Sequence, residues 1–566
     1  MGIDDESSHP EVCSEVAGGV TRNIVCLFRE PDAGNLPVRF DEREQETGPS
    51  QTGLRRVTRK RPNSHREATA TAPVLDSTRP AVSNPGSVVI NNKENGMNFK
   101  DFVLKKHRGL KSALSLALRG TVAALAVTLI LIPNSWAASG ETVLHTFDIA
   151  TAADPVTGLT MDASGNLYGT ARLGGPGACG AGCGVVFKLT KTGKGGFTYS
   201  ILHTFAGPLS DGGNPFGAPL LDSAGNIYGT TADGGEAGCG VVYRLSPMAG
   251  EYQETILHSF NKFVHRNKDG CNPGSYLIFD AAGNLYGTTN KGGGGGVNGT
   301  FCDNGCGTVF KLTPEKHGKY KESVIHSFPG TKGNTDGRNP VGGLVFDSAG
   351  NLWGSTSVGG VGGAGTVFEL TPNPDGTYAE STLYSFTGAS TGFFPNTNLV
   401  IDQAGNLYGT TVNGGLNDGD GVVFKVTPQP GGGVEESIIH TFFCNDVACN
   451  DGVSPFNGLT IDANGTLYGT VDLGGGASGQ CGGGTPDLGC GIVYTLTPNP
   501  QGEFTETILY RFQGFADGAE PMGDHVVVDA SGNIFGTTSE GGNSTACPGV
   551  LGVSPGGCGV VFEVTP

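Results

Sequence analysis

Beyond about residue 140 the apolar positions fall in short runs that alternate with polar ones. In "GVVFKLT", which begins at Gly184, Val185, Phe187 and Leu189 alternate with Val186, Lys188 and Thr190. A period of two is that of a β-strand. Counterparts begin at Gly240, Gly307, Gly365, Gly421, Gly491 and Gly559. "SILHTF" from Ser200 reads the same way, with similar strands ending at Phe260, Phe328, Phe386, Phe442 and Phe512. Shorter apolar runs such as "GLTMD" and "GLVFD" come earlier in each unit. Between the short run and the "GVVFKLT" strand stands "GNLYGTT" (Gly405–Thr411) or a near copy of it. No helical period interrupts this series.

The pattern is a tandem repeat. Asp-x-x-Gly-[Asn/Thr]-[Leu/Ile]-[Tyr/Trp/Phe]-Gly-[Thr/Ser] begins at Asp162, Asp222, Asp280, Asp347, Asp402, Asp462 and Asp529, at spacings of 55 to 67 residues. A period of this size built only of strand-like pieces marks a propeller or solenoid. Asp-x-x-Gly predicts a type I turn. Its Asp accepts turn N–H groups, and its Gly takes a positive φ without a Cβ clash. Each unit therefore reads as four antiparallel strands, and the whole as an all-β, seven-bladed β-propeller. The heptad is a building part: its aromatic is expected between blades, and its Gly where neighbouring backbones approach closely. The last unit lacks a fourth strand before Pro566, whereas "ETVLHTF" (Glu141–Phe147) precedes the first unit with none of its own to complete. Strand 141–147 is expected to pair with Gly559–Thr565 and close the ring, which removes an exposed edge.

"GLTIDANGTLYGT", "GIVYTLTP" and "ETILYRF" with their siblings resemble the bacterial GloVer tandem repeat, over Glu141 to Pro566 and in all seven copies. The resemblance implies an exported, propeller-like repeat protein. It implies no established activity and supplies no catalytic residues. GloVer proteins often carry C-terminal anchors; this chain stops at Pro566 without one. More distantly, Asp-x-x-Gly-Asn-Leu-[Tyr/Trp] is similar to blades of the NHL and two-component-regulator propellers.

Composition narrows the class. Gly is 97 of 566 residues, about 17% against a usual ~7%, yet without the Gly-X-Y period of collagen. The formal net charge of −18 argues against a nucleic-acid partner, which would need a basic surface. Residues 1–96 have no repeat and many charges, and read as a disordered extension from a misassigned start, with Met97 the expected true start. From Met97, basic residues, an apolar run Val122–Ile132 and Ser135-Trp136-Ala137 read as a signal peptide over 97–138. The apolar run is short of the ~20 residues of a membrane span. The propeller is then 139–566, secreted or in the periplasm or cell envelope, a monomer with no membrane span. Twelve of the 14 cysteines follow the leader, as expected of an exported chain. Local pairing is expected for Cys179–Cys183, Cys302–Cys306, Cys444–Cys449, Cys481–Cys490 and Cys547–Cys558. Cys239 is left for Cys271, all in loops of one propeller face.

Candidate chemistry is sparse. His145, His203, His258, His326 and His440 share one repeat position, with Tyr384 and Tyr510 in two other units. Successive blades hold them far apart, so an outer-strand hydrogen-bonding role is expected rather than a metal site, which needs convergence. The Asp-Gly-x-x-Pro loops at Asp211, Asp269, Asp336, Asp451 and Asp517 suit turns and lack the bidentate Glu of an EF-hand. The central channel should be lined four residues before each repeat Asp, by Gly158, Ala218, Tyr276, Gly343, Asn398, Gly458 and His525. Asp524, His525, Asn398 and Tyr276 are the polar exceptions and the weak catalytic candidates. The regucalcin/gluconolactonase propellers hold a divalent metal there on a carboxylate–asparagine set, of which this chain offers at best a part. Two functions follow. One is a binding or scaffold module for an extracellular or envelope protein or glycan, without a cofactor. The alternative is a lactonase-like or other hydrolase with a metal in the channel.

Overall fold

The structure, a computed structural model, describes residues 12–17, 20–25 and 140–566, the last apart from 178, 194, 208–210, 262–268, 294–304, 330–334, 389, 416–418, 445–448, 477–488, 515, 543–546 and 548–556. The chain divides after Ser135. In the first unit the described residues form one antiparallel pair, Val12–Ala17 with Val20–Val25. No helix among the described residues is long and apolar enough to cross a membrane.

The second unit contains seven four-stranded antiparallel sheets, one per repeat, and is a β-propeller. Blade one runs Thr160–Met161, Leu167–Ala171, Val185–Lys191 and Phe197–Thr204. The Asp-x-x-Gly turn joins its first two strands. Asp162 Oδ1 accepts the N–H groups of Ser164 and Asn166 at 2.8 and 3.0 Å. Its Oδ2 accepts Asn166 Nδ2 at 2.8 Å and the Tyr168 hydroxyl at 3.1 Å. Gly165 sits at φ +78°. One carboxylate thus ties the turn to the aromatic of the next strand. The arrangement recurs with Trp353 Nε1 on Asp347 at 3.2 Å. Phe535 offers no such donor, and Asp529 keeps only the turn and Asn533.

The core lies between blades. Its seven clusters of buried residues each span one blade interface. At every interface the Phe ending one outer strand meets, edge to face, the aromatic of the next blade's third strand. Phe205 meets Tyr243 at 5.1 Å, Phe386 meets Phe424 at 5.0 Å, and Phe147 meets Phe187 at 5.2 Å. The heptad Gly makes room for that same ring. A Cβ on Gly409 would lie 2.6 Å from Phe424 Cζ and 2.9 Å from Leu399 Cδ2. The expectation that this Gly admits a neighbouring backbone is therefore corrected: it admits a ring of its own blade. The heptad aromatic does pack between blades, as Tyr168 does against Ile227, Val241 and Tyr243.

A backbone latch adds to the packing. The residue before each Asp-Gly-x-x-Pro proline, or its equivalent, holds a positive φ: Asp154, Asn214, Asn272, Asn339, Phe394, Ser454 and Glu520. Each donates its N–H to a carbonyl of the preceding blade, as Asn214 does to Cys183 at 3.0 Å and Glu520 to Cys490 at 3.1 Å. This left-handed backbone is uncommon for non-Gly residues and persists only where surrounding contacts fix it.

The ring closes as the repeat pattern requires. Gly140–Thr146 pairs antiparallel with Val560–Thr565, from Gly140 opposite Thr565 to Thr146 opposite Val560. It completes a sheet whose other strands are Val527–Val528 and Ile534–Thr538. Phe147 then donates its N–H to Gly559.

Gly409→Ala should cost about 1–3 kcal/mol, the usual cost of overpacking a filled core. Phe424→Leu in the same chain should recover part of that loss in a denaturant titration.

Candidate functional site

The first strands bring Asp524, His525, Tyr276 and Asn398 together at the centre of the ring. Glycines of other blades make the space. A Cβ on Gly158 would lie 2.9 Å from His525 Nδ1, and one on Gly343 would lie 2.6 Å from Tyr276 Cε1 and 2.9 Å from Asn398 Oδ1. Asp524 Oδ2 accepts the Ala218 N–H at 2.9 Å, and its carboxylate also takes the Gly158 N–H. The Asp524 carbonyl accepts the Gly458 N–H at 2.7 Å. Asn398 Oδ1 accepts the Gly343 N–H. The Tyr276 hydroxyl points at the Leu344 carbonyl at 3.4 Å, and its ring stands edge to face with His525 at 6.1 Å.

Burial sets the titration of this group. It pushes the Asp524 carboxyl up to about 6, against the pull of the Ala218 and Gly158 N–H groups. It pushes His525 down to about 4, against its bond to the Leu159 backbone. Burial, then the Asp524 charge, raises Tyr276. At neutral pH the centre holds a carboxylate and a neutral imidazole, with the carboxylate already bound to backbone donors.

A second polar group, missed in the sequence, sits where second strands end. Arg172 pairs with Asp154 at 2.5 Å, both nearly fully buried. Asp233, on the next blade, is pushed up by burial, against the Asn214 amide and the charges of Lys291 and Arg172. Three consecutive blades thus converge on one mixed-charge cluster. Its signal was the residue before each blade's proline, paired with the one or two residues after the "YGTT" strand.

The histidines do not stand alone. His203 Nε2 lies 3.5 Å from Asp211 Oδ2 and 3.7 Å from Glu254 Oε1, the latter on the next blade. His258 lies 3.3 Å from Asp269, and His326 lies 3.2 Å from Asp336. His440 stands 3.5 Å from Asp451 and 3.8 Å from Glu506. The Asp residues also hold their turns, as expected: Asp211 takes the N–H groups of Ala206 and Gly212 at 2.8 and 2.6 Å. The glutamates went unread although the signal was present. Glu254, Glu322, Glu380, Glu436, Glu506 and Glu141 each stand four residues before the next His or Tyr of the series. Burial, followed by the Asp211 charge and bond, pushes Glu254 up to about 8. Where Tyr replaces His, the Tyr384 hydroxyl reaches Glu436 at 3.1 Å and the Tyr510 hydroxyl reaches Asp517 at 2.7 Å. His145 instead stacks on Tyr199 at 3.7 Å.

Disulfides join Cys179 to Cys183, Cys239 to Cys271, Cys444 to Cys449 and Cys547 to Cys558. Cys306 and Cys490 are also disulfide-bonded. Their expected partners, Cys302 and Cys481, lie outside the described residues.

Fold and centre together define a propeller repeat protein. The chain belongs to the Gloeobacter/Verrucomicrobia repeat family, whose model matches residues 135–333 and again 296–546. No curated protein matches it. Solved structures similar to it share the fold at low identity. One is a putative 6-phosphogluconolactonase from Bacteroides uniformis (14% identity, 66% of this chain and 90% of that one, TM-score 0.41). Another is a protein from Lactobacillus plantarum (13%, 62% and 84%, TM-score 0.39). A third is a putative glucose dehydrogenase from Thermus thermophilus (15%, 75% and 100%, TM-score 0.35). Likeness at this level carries no argument about activity.

The closing strand supplies a pH test. Burial, then the Asp517 charge, pushes Glu141 from 4.5 up to about 7. The folded chain therefore keeps a proton that the unfolded chain releases. This contribution to stability is full below about pH 4.5 and is lost as pH rises through about 7. Wild-type Tm should fall between about pH 5 and about pH 8, and Glu141→Gln should make that fall shallower. An unchanged slope would exclude Glu141 as a source.

Proposed function

We propose that the chain is an exported propeller that acts outside the cytoplasm as a binding or scaffold module, engaging a protein or glycan through the face carrying its disulfide-stapled loops. The observation that carries this reading is the state of the ring centre. Asp524 and Asn398 are committed to backbone N–H groups of other blades, so the centre braces the ring. Export is supported by the basic, apolar and small-residue order of 97–138 and by the paired cysteines. A second reading, a lactonase or other hydrolase at the centre, is favoured by one feature. A carboxyl pushed up to about 6 stands next in sequence to a neutral imidazole, a pairing that general acid–base chemistry uses.

No metal-dependent step is assigned to the centre. Asp524 and Asn398 are the residues that would have to hold a divalent ion there. Both side chains already accept backbone N–H groups, so this donor set does not fit one as it stands.

One experiment separates the readings. Purified chain is applied to arrays of cell-wall polymers and glycans and, in parallel, to a panel of lactones and esters. The binding reading expects retention on a defined polymer with no turnover of any lactone or ester. Turnover that Asp524→Asn or His525→Gln abolishes would replace it with the hydrolase reading. Protein recovered from its host should begin near Ala138; peptides from residues 1–96 in a native proteome would refute the expected start at Met97.

A further inference from the structure

The outer rim repeats one constellation that the proposed function does not use. His203, Asp211 and Glu254 converge from two blades, as do His258 with Asp269 and Glu322, His326 with Asp336 and Glu380, and His440 with Asp451 and Glu506. Within each group, one nitrogen and two carboxylate oxygens lie within 4.8 Å of one another. We propose that these four clusters are divalent-cation sites of zinc type, each clamping the outer edges of two neighbouring blades.

The distances carry the argument. His203 Nε2 stands 3.5 and 3.7 Å from its two carboxylate oxygens, and His440 Nε2 stands 3.5 and 3.8 Å from its own. These exceed the 2.7–3.2 Å of an N–H···O bond, whereas His258 and His326, which share the same ligand set, hydrogen-bond Asp269 and Asp336 at 3.3 and 3.2 Å. The His203 and His440 nitrogens are buried and make no hydrogen bond of normal geometry, and the same holds for Glu254 Oε1 and Glu506 Oε1. Zinc binds imidazole at about 2.0–2.1 Å and carboxylate at about 2.0–2.2 Å, so tetrahedral ligands stand about 3.3–3.6 Å apart. One imidazole and two carboxylates make three ligands, two negative charges and one position left for water. The ligands are held from behind. Asp211 is fixed by the Ala206 and Gly212 N–H groups, and the His203 ring stands edge to face on Phe205 at 4.8 Å. The side chains of His203 and His440 are each 17% exposed, which leaves a path for an ion.

Each of the other three interfaces lacks part of the set. Between blades six and seven Asp517 and Glu141 stand in place, but Tyr510 replaces the histidine and donates its hydroxyl to Asp517 at 2.7 Å. Between blades four and five, Tyr384 and Thr391 stand where the His and Asp would be, and only Glu436 remains. Where His145 survives, Tyr199 occupies the Glu position and stacks on the ring. Tyrosine can donate a hydrogen bond, but it is not among zinc's usual His, Cys and carboxylate ligands.

The test uses the full chain, stripped with a chelator, reloaded with zinc and desalted. Elemental analysis should find about four bound zinc ions per chain, one for each cluster. His203→Gln and His440→Gln should each remove about one, whereas Glu436→Gln should remove none. Cobalt(II) loading of the unmodified chain needs no variant and should give the intense visible bands of a tetrahedral site. Zinc content unmoved by both histidine substitutions, or a cobalt spectrum like that of the aqua ion, would overturn the proposal. The clusters would then be hydrogen-bonded stitches only.

Discussion

A four-stranded blade has two apolar faces and cannot cover either one by itself. Everything in this ring follows from meeting that constraint at seven interfaces. The contact that does so is the edge-to-face pair between the Phe closing one outer strand and the ring on the next blade's third strand. Such a pair contributes about 0.5–1.5 kcal/mol beyond the apolar area it buries. The ring can lie flat against its own sheet only because the heptad places Gly beneath it, as Gly169 does for Phe187 and Gly229 for Tyr243. The Asp-x-x-Gly turn then fixes the strand carrying that Gly, through the bond that the aromatic just before it donates to the Asp. Turn, glycine and ring form one device, which explains why they recur as a block.

The same constraint explains the closing strand. Without Gly140–Thr146, Phe187 would lose Phe147, and the edge of Val560–Thr565 would face solvent. The first interface would then be the one of seven without its pair. Joining the two ends of the repeat array couples blade one to blade seven, so local opening at the seam must break a full antiparallel ladder as well as a packed interface.

The fold was legible because its determinants are local. The alternation in "GVVFKLT", the Asp-x-x-Gly turn and the orphan "ETVLHTF" each state their role within a few residues. What escaped depends on the offset between blades. Glu254 is four residues from His258 in the chain yet serves His203 of the preceding blade. Periodicity shows that both positions recur, but only the ring's geometry says which pairs with which. The glycine was misassigned for a related reason: a small residue in a strand admits either a backbone or a ring, and the pattern alone does not choose. At the centre, counting back four residues from each Asp found the right positions. Whether seven such positions leave a channel or fill it depends on how Tyr276, Asn398 and His525 fit against Gly158 and Gly343.

Centre and rim have been shaped by opposite demands. The centre is short of space, and its polar groups reach across blades to backbone donors, so a change at Asp524 disturbs Ala218 and Gly158 at once. Such a site resists variation, because each substitution must satisfy several blades. The rim is different. Each His, Asp and Glu group involves only one interface, so Tyr384 and Tyr510 could replace histidine there while the aromatic pairs beneath, Phe386 with Phe424 and Phe512 with Phe562, stayed intact. The loops above are freer still, since a disulfide within a loop or between adjacent loops holds shape without calling on the core. A propeller built this way keeps its packing constant from blade to blade and places its variation outside the packing, which is the arrangement a binding surface needs.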